Sequence, residues 1–263
     1  MVTLGIVSIA TNIYLDYWKA QAKSVDENLD QLVETTLHIF TDRPNEALEH
    51  GRTLKHVRVI AHQIPAYGWP QATLYRYEIM HKESDQLQQD VLMYLDADML
   101  IARPIGLKDF ETSEGSGVTL VRHPGFYRPV LASSVLLYLR NPALLTNDIY
   151  TSLKVGGLGS WETSSTSLAY VPRKLRRNYY CGGVWWGYNA EFKELVKELA
   201  ERVSRDEENQ VMATWHDESH LNWWASTHQH VAKDSSYCYS ISYPWLKQLP
   251  MIIQAVDKQV ATR

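Results

Sequence analysis

Residues 90–100 read DVLMYLDADML. Val91 to Leu95 form an apolar run of buried-strand length, and Asp96 and Asp98 follow at its carboxyl end. Ligands of open α/β sheets bind at that edge. Two carboxylates separated by one residue can approach one hard cation or bridge it through water, whereas without a cation they repel. The chemistry that needs such a pair is the neutralisation of a nucleotide diphosphate, because a divalent cation bridges phosphate oxygens and stabilises charge on a departing diphosphate. An isolated D-x-D pair is also found at solvated strand ends and in phosphohydrolases, so the surrounding sequence must discriminate.

Outward from this segment, further short apolar runs read as buried strands: Leu4 to Ala10, Leu37 to Thr41, Val57 to Ala61 and Gly117 to Val121. Helical spacing of apolar residues predicts helices over Thr73 to Lys82, Ala190 to Ser204 and Asp217 to Ser226. Strands alternating with helices predict an α/β fold with a mixed, mainly parallel central sheet covered on both faces. No repeat, low-complexity tract or long linker divides the chain, so residues 1–263 are read as a single domain.

The 263 residues carry 26 Lys plus Arg against 30 Asp plus Glu, a net charge of −4, without the excess of one sign that a nucleic-acid binder needs. Nine Trp and 16 Tyr supply rings with a polar atom, suited to wet pockets that take sugars or nucleotides as well as to domain edges. Cys181 and Cys238 allow one disulfide at most, and a reducing compartment fits. The opening MVTLGIVSIATN lacks a basic start and a long apolar stretch, and the run Val130 to Leu139 is too short to span a bilayer. A cytoplasmic location without a membrane anchor is the expectation.

Residues 215–224, WHDESHLNWW, gather an aromatic, two histidines and two carboxylates. Asp217 is a candidate helix N-cap, with Glu218 and His220 in the opening turns near the positive helix end. An aromatic platform beside carboxylates also suits a sugar ring held against a catalytic acid or base. His216 and His220 have the i, i+4 spacing of zinc ligands, although the order HDESH is not H-E-x-x-H. Glycines in HPGFY (123–127) and YYCGGVWWG (179–187) permit turns or close ligand approach. Neither GxGxxG nor a Walker loop is present, which argues against dinucleotide oxidoreductases and P-loop kinases.

In order along the chain, ATNIYLDYW (10–18), FTDRP (40–44), GWPQATLYRYEI (68–79), DVLMYLDADM, HPGFY, AYVP (169–172), YYCGG and WHDESHLN resemble the family 6 glycosyltransferases, which include the ABO blood-group transferases. The resemblance implies a GT-A type nucleotide-sugar fold and transfer from a UDP-sugar, with retention of the α configuration, onto the 3-hydroxyl of a β-galactoside. It implies that Ala10, Thr11 and Tyr14 border uracil and ribose, that Arg76 reaches the donor, and that Asp96 and Asp98 bind Mn²⁺, with Mg²⁺ the alternative. His123, Trp215 and Asp217 match acceptor contacts, Trp215 as the galactose platform. Glu218 matches the carboxylate beside the reacting anomeric carbon, as covalent nucleophile or as stabiliser of an oxocarbenium-like centre.

The chain also departs from the family pattern. An extra apolar stretch lies within 130–158 and reads either as a helical hairpin on the domain or as a peripheral membrane or lipid-acceptor contact. The family's YERR is replaced by Trp161-Glu162-Thr163-Ser164, and a basic turn, Arg173-Lys174-Leu175-Arg176-Arg177, precedes the paired tyrosines, suited to solvent or to an acidic partner. Ser240 replaces an acceptor-holding aspartate. Small residues at Cys181 and Gly183, beside Gly182, leave room for an acetamido group and favour UDP-GalNAc over UDP-Gal, unless the bulk of Trp186 refills the pocket. Two other classes fit the residues: a metal-dependent phosphohydrolase on Asp96, Asp98, His216 and His220, and a non-catalytic sugar-binding protein.

Overall fold

The computed structural model describes residues 2–30, 33–110, 117–129 and 131–256. In chain order the elements are β1 (Thr3–Ile9), α1 (Tyr14–Asn28), β2 (Glu34–Thr41), α2 (Pro44–Gly51), β3 (Val57–Gln63), α3 (Gln71–Leu74), α4 (Arg76–Lys82), β4 (Val91–Leu95), β5 (Met99–Ile101), α5 (Leu107–Phe110), β6 (Val118–Arg122), α6 (Leu131–Arg140), α7 (Pro142–Val155), β7 (Tyr180–Tyr188), α8 (Asn189–Glu208), α9 (His216–Thr227), β8 (Val231–Lys233) and β9 (Ile253–Ala255). Val130, where the apolar insertion begins, lies outside the described residues.

Among the described residues the main sheet has seven strands in the order β3-β2-β1-β4-β7-β6-β8. β3, β2, β1 and β4 run parallel, β7 is antiparallel to both β4 and β6, and β8 is parallel to β6. This is the mixed, mainly parallel sheet of the GT-A type fold. Side-chain alternation along the strands sorts the core into two layers. Leu4, Ile6, Met93, Leu95 and Trp186 face the layer that holds α1, whereas Val7, Ile9, Leu92, Tyr94 and Trp185 face the layer that holds α4, α8 and α9.

Strand positions agree with the expected apolar runs, whereas several helices differ. The helix expected from Thr73 to Lys82 is interrupted at Tyr75, whose backbone (φ −87°, ψ 5°) separates α3 from α4. Asp217 is not a helix cap: Trp215 holds that position without a side-chain cap, and Asp217 and Glu218 lie in the first turn of α9. The segment YYCGGVWWG, whose glycines permit turns or close ligand approach, forms strand β7 rather than a turn. Cys181 and Cys238 are buried free thiols, and a hydrogen bond to Cys181, with burial, raises the Cys238 thiol.

The apolar stretch within 130–158 folds as a helical hairpin, α6 and α7. Pro142 opens α7, the Asn141 side chain accepts from the Leu144 amide at 3.2 Å, and Gly156 closes it in the left-handed region (φ 82°). Among the described residues no helix is long and apolar enough to cross a membrane.

Candidate active site

The site forms where β4 ends against the beginning of β7. Because β7 runs antiparallel, Leu95 pairs with Val184, and the ladder continues as the Asp96 amide donates to the Gly183 carbonyl at 2.8 Å. The DxD pair therefore lies beside the double glycine. Both glycines are needed for this approach: a Cβ on Gly183 would lie 2.7 Å from Asp96 Oδ2, and one on Gly182 would lie 3.0 Å from Asp217 Oδ2.

Arg76, at the start of α4, is the hub of the site. It is buried, donates to the Gly182 carbonyl at 2.7 Å, and pairs with Asp217 Oδ2 at 3.0 Å and Asp96 Oδ1 at 3.2 Å. Its guanidinium stacks over Tyr94 at 4.6 Å, and the Tyr94 hydroxyl donates to Asp96 Oδ1 at 2.7 Å. Glu218 Oε2 accepts from the Gly182 amide at 2.8 Å. The Tyr179 hydroxyl lies beside Glu218 without a bond of normal geometry.

Burial dominates the electrostatics of this cluster. It pushes Asp217 up to about 7 against the pull of Arg76, and pushes Glu218 up to about 7 against the Gly182 amide. Asp96 and Asp217 thus pair with a single guanidinium, with Glu218 near it and Asp98 on the wall of the same cleft. Burial also lowers His123 to about 4, so its ring is neutral at physiological pH. The Gly125 amide donates to His123 Nδ1 at 3.1 Å, which leaves Nε2 as the protonated nitrogen and a donor.

Two cavities meet here. The first, of about 310 Å³, is lined among others by Thr11, Tyr14, Tyr67, Trp69, Asp96 and Asp98. The second, of about 280 Å³, is lined among others by His123, Gly182, Gly183, Trp215, Asp217 and Glu218. Trp69, Thr73, Arg76 and Asp96 line both. Eleven of the anticipated positions (Thr11, Tyr14, Arg76, Asp96, Asp98, His123, Gly182, Gly183, Trp215, Asp217 and Glu218) thus face one continuous cleft.

Ala10 and Cys181 do not line it. Ala10 is fully buried, and an irregularity in β7, where Trp185 lies opposite Leu120 but Tyr180 lies opposite Arg122, puts Cys181 in the core layer with Trp186 and Cys238. Trp186, packed edge-on to Phe110 and tilted against Tyr237 in that core, does not refill the cleft either. The zinc reading of His216 and His220 fails on direction: His216 lines the second cavity, whereas His220 lines a separate one and faces Asp206 on α8 at 3.5 Å. The phosphohydrolase constellation, which needs both histidines beside Asp96, is not assembled.

Sequence reading passed over two kinds of residue. Trp69 is exposed at the junction of the cavities, edge-on to His216 at 5.3 Å, and its only sequence signal was an aromatic between Gly68 and Pro70. Asn222 and Glu162 act beneath the surface. The Asn222 side chain accepts from the Tyr180 amide and donates to the carbonyls of Tyr180 and Glu218, all within 2.9 Å, tying α9 to β7. Glu162 is pushed up by burial, but bonds from Ser164 and from Thr214, the neighbour of Trp215, outweigh this and hold it below its ordinary value.

Asp96 and Asp98 fit a hard divalent cation. They are oxygen donors on one cavity wall, and Asp96 remains a third exposed while its neighbours are buried. Among the described residues no group of three or more His, Cys, Asp or Glu side chains is arranged to hold a metal ion. Asp96 and Asp98 would hold such a cation, with its remaining ligands supplied from outside the chain.

Residues 158–261 match the family model of glycosyltransferase family 6. The chain is 27% identical over 234 residues to histo-blood group ABO system transferase 1 of Rattus norvegicus, covering 86% of this chain and 58% of that protein. It is 25% identical over 234 residues to globoside alpha-1,3-N-acetylgalactosaminyltransferase 1 of Gallus gallus, with the same shares of 86% and 58%. It is 21% identical over 257 residues to the O-antigen biosynthesis glycosyltransferase WbnI of Escherichia coli, covering 97% of this chain and 96% of that one. The chain thus spans 58% of the length of the rat and chicken relatives. These matches bear out the resemblance carried by the motifs.

Proposed function

From this likeness to glycosyltransferase family 6, we propose that the chain transfers a hexosyl group, GalNAc or Gal, from a UDP-sugar in α1,3 linkage to a β-galactoside, with retention. The observation that carries the proposal is the meeting of two cavities at Asp96 and Arg76, with the Glu218 carboxylate on the wall of the second. The first takes the nucleotide: Thr11, Tyr14 and Tyr67 surround the nucleoside, and Asp96 and Asp98 lie where the diphosphate ends. Mn²⁺ or Mg²⁺ bound there would stabilise the negative charge of the departing diphosphate. The second takes the sugar and the acceptor. Trp215, half exposed, offers its ring face to galactose, and His123 Nε2–H and Asp217 hydrogen-bond acceptor hydroxyls.

Glu218 lies beside the reacting anomeric carbon. Its charge counts most when that carbon becomes cationic, so burial raises the energy of the resting carboxylate and increases what the transition state recovers. Arg76 holds Asp217 and Asp96 in register across the join. A non-catalytic sugar-binding protein has no need of a carboxylate with so raised a pKa, because binding alone recovers little of that cost.

Gly182 and Gly183 supply the open space beside the donor sugar, and UDP-GalNAc is the preferred donor with UDP-Gal the alternative. The α1,3-N-acetylgalactosaminyl transfer for which the chicken relative is named supports that order. Equal concentrations of UDP-GalNAc and UDP-Gal, offered with Mn²⁺ to a panel of β-galactosides and scored by product mass, test it. Predominant HexNAc addition is expected, and predominant hexose addition would reverse the donor assignment. The Cβ contact with Asp96 makes Gly183→Ala unsuited to this question, since it disturbs the carboxylate together with the pocket.

A further inference from the structure

A helix on a water-facing surface normally buries its apolar side. The hairpin does the reverse. Its inner side carries a polar pin, in which Arg128 pairs with both oxygens of Asp148 at 2.7 Å, the Tyr138 hydroxyl donates to Asp148 at 2.8 Å, and Arg128 stacks on Trp245 at 4.5 Å. Its outer side exposes Val135, Leu136, Leu139, Ile149, Tyr150 and Leu153, with Leu139 76% and Leu153 70% accessible. The pin fixes the hairpin against the 123–128 segment that carries His123, so this apolar face is held in place beside the acceptor cavity.

The charge around that face has one sign. Between residues 135 and 179 the exposed charged side chains are Arg140, Lys154, Arg173, Lys174 and Arg177, while the carboxylates Asp148 and Glu162 are buried, in a chain whose net charge is −4. The basic turn is joined to the hairpin: Arg173 donates to the Leu153 carbonyl at 2.6 Å, Arg176 donates to the Val155 carbonyl, and Lys154 lies 5.6 Å over the Tyr150 ring. Apolar residues bordered by cations are the composition of surfaces that lie in a membrane interface. A second copy meeting this face about a twofold axis would bring the two sets of cations together, which disfavours self-association.

We propose that the outer face of α6 and α7, with the basic turn 173–177, docks on an anionic lipid surface and thereby turns the acceptor cavity toward glycans displayed there. The docking stands on geometry and charge, and only the orientation of the acceptor cavity rests on the proposed transfer reaction.

Sedimentation with vesicles of phosphatidylcholine, with and without phosphatidylglycerol, tests it in the absence of any sugar nucleotide. The protein is expected to pellet with the anionic vesicles, to release as salt rises, and to stay in solution with neutral ones. The pairs Leu139→Ser with Leu153→Ser, and Lys174→Glu with Arg177→Glu, should each weaken that binding at least about tenfold while circular dichroism is unchanged. Wild-type protein that ignores anionic vesicles, or binding unaltered in folded variants, would overturn the proposal. So would a stable dimer that the leucine variant dissociates, since the face would then belong to a second copy. Because no donor or acceptor is present, none of these failures touches the assignment of the cleft.

Discussion

The Gly182 amide donates to Glu218 Oε2 at 2.8 Å, so the edge of β7 sets the position of a carboxylate carried by the first turn of α9. The glycine is part of that relationship, because a Cβ there would press on Asp217 Oδ2 at 3.0 Å and on the Glu218 Cβ at 3.3 Å. A strand edge, a helix start and two carboxyls are thereby brought into one arrangement. Its cost in resting stability and its value in the reaction have the same source, the burial of Glu218.

Glu218→Gln separates the two. Turnover should fall by about 10²–10³-fold, the loss typical of removing one charge-stabilising group, while UDP-sugar affinity is kept. The variant should also be the more stable protein at pH 8. Folding raises Glu218 from 4.5 to about 7, so the folded state binds more protons than the unfolded state between those values and loses stability as pH rises through them. Allowing for partial exposure, the gain at pH 8 is on the order of 2 kcal/mol and should vanish by about pH 4. Urea unfolding at the two pH values, alongside initial rates, measures both effects.

The same raised pKa predicts the pH dependence of the wild-type enzyme. The reaction needs Glu218 ionised, and its kcat/KM should climb with pH through an apparent pKa near 7, belonging jointly to Glu218 and Asp217. A profile flat from pH 6 to 8 would remove the role from this pair.

Asn222 touches neither cavity, yet it joins Tyr180 on β7 to the Glu218 carbonyl on α9. Asn222→Ala leaves the Tyr180 amide and carbonyl unpaired in the interior, at about 1–3 kcal/mol. If Asn222 positions Glu218, kcat should drop with little change in the donor KM, and the pH profile should shift as the Gly182 bond loosens. A purely structural role would lower the amount of folded protein and leave both kinetic readouts of the folded fraction unaltered.

Asp96→Asn and Asp98→Asn address the cation. Either change should abolish the enhancement of UDP binding by Mn²⁺ in calorimetry, and EDTA should silence the wild type. Asp96→Asn should have the larger effect on the fold, because it also weakens the pairing with Arg76 and Tyr94. Full turnover in EDTA would exclude the metal assignment.

Much of this site was legible along the chain. Val91 to Leu95 declared a buried strand, and its position put Asp96 and Asp98 at the ligand edge without any knowledge of their partners. Pairing across the sheet was not legible. The glycines of 179–187 resemble a turn because their purpose, contact with Asp96, Asp217 and Glu218, appears only once β7 lies beside β4. The irregularity of that strand between Tyr180 and Trp185 then puts Cys181 in the core with Trp186 while Gly182 lines the cleft. Helical spacing is also present in α1, at Leu15, Trp18, Ala22 and Val25. The burial of Arg76 is not legible along the chain, because it follows from α4 packing beneath three carbonyl and carboxyl partners drawn from other elements.

In the proposed reaction the cleft between Asp96 and Glu218 transfers a sugar from UDP to a galactoside with retention. The most direct measurement is nuclear magnetic resonance of the product formed from a UDP-sugar and a β-galactoside with Mn²⁺, together with the UDP released. One new α-linked residue on the galactose 3-hydroxyl per UDP is the predicted result. A β-linked product, release of free phosphate, or binding of both ligands without any new glycoside would contradict it.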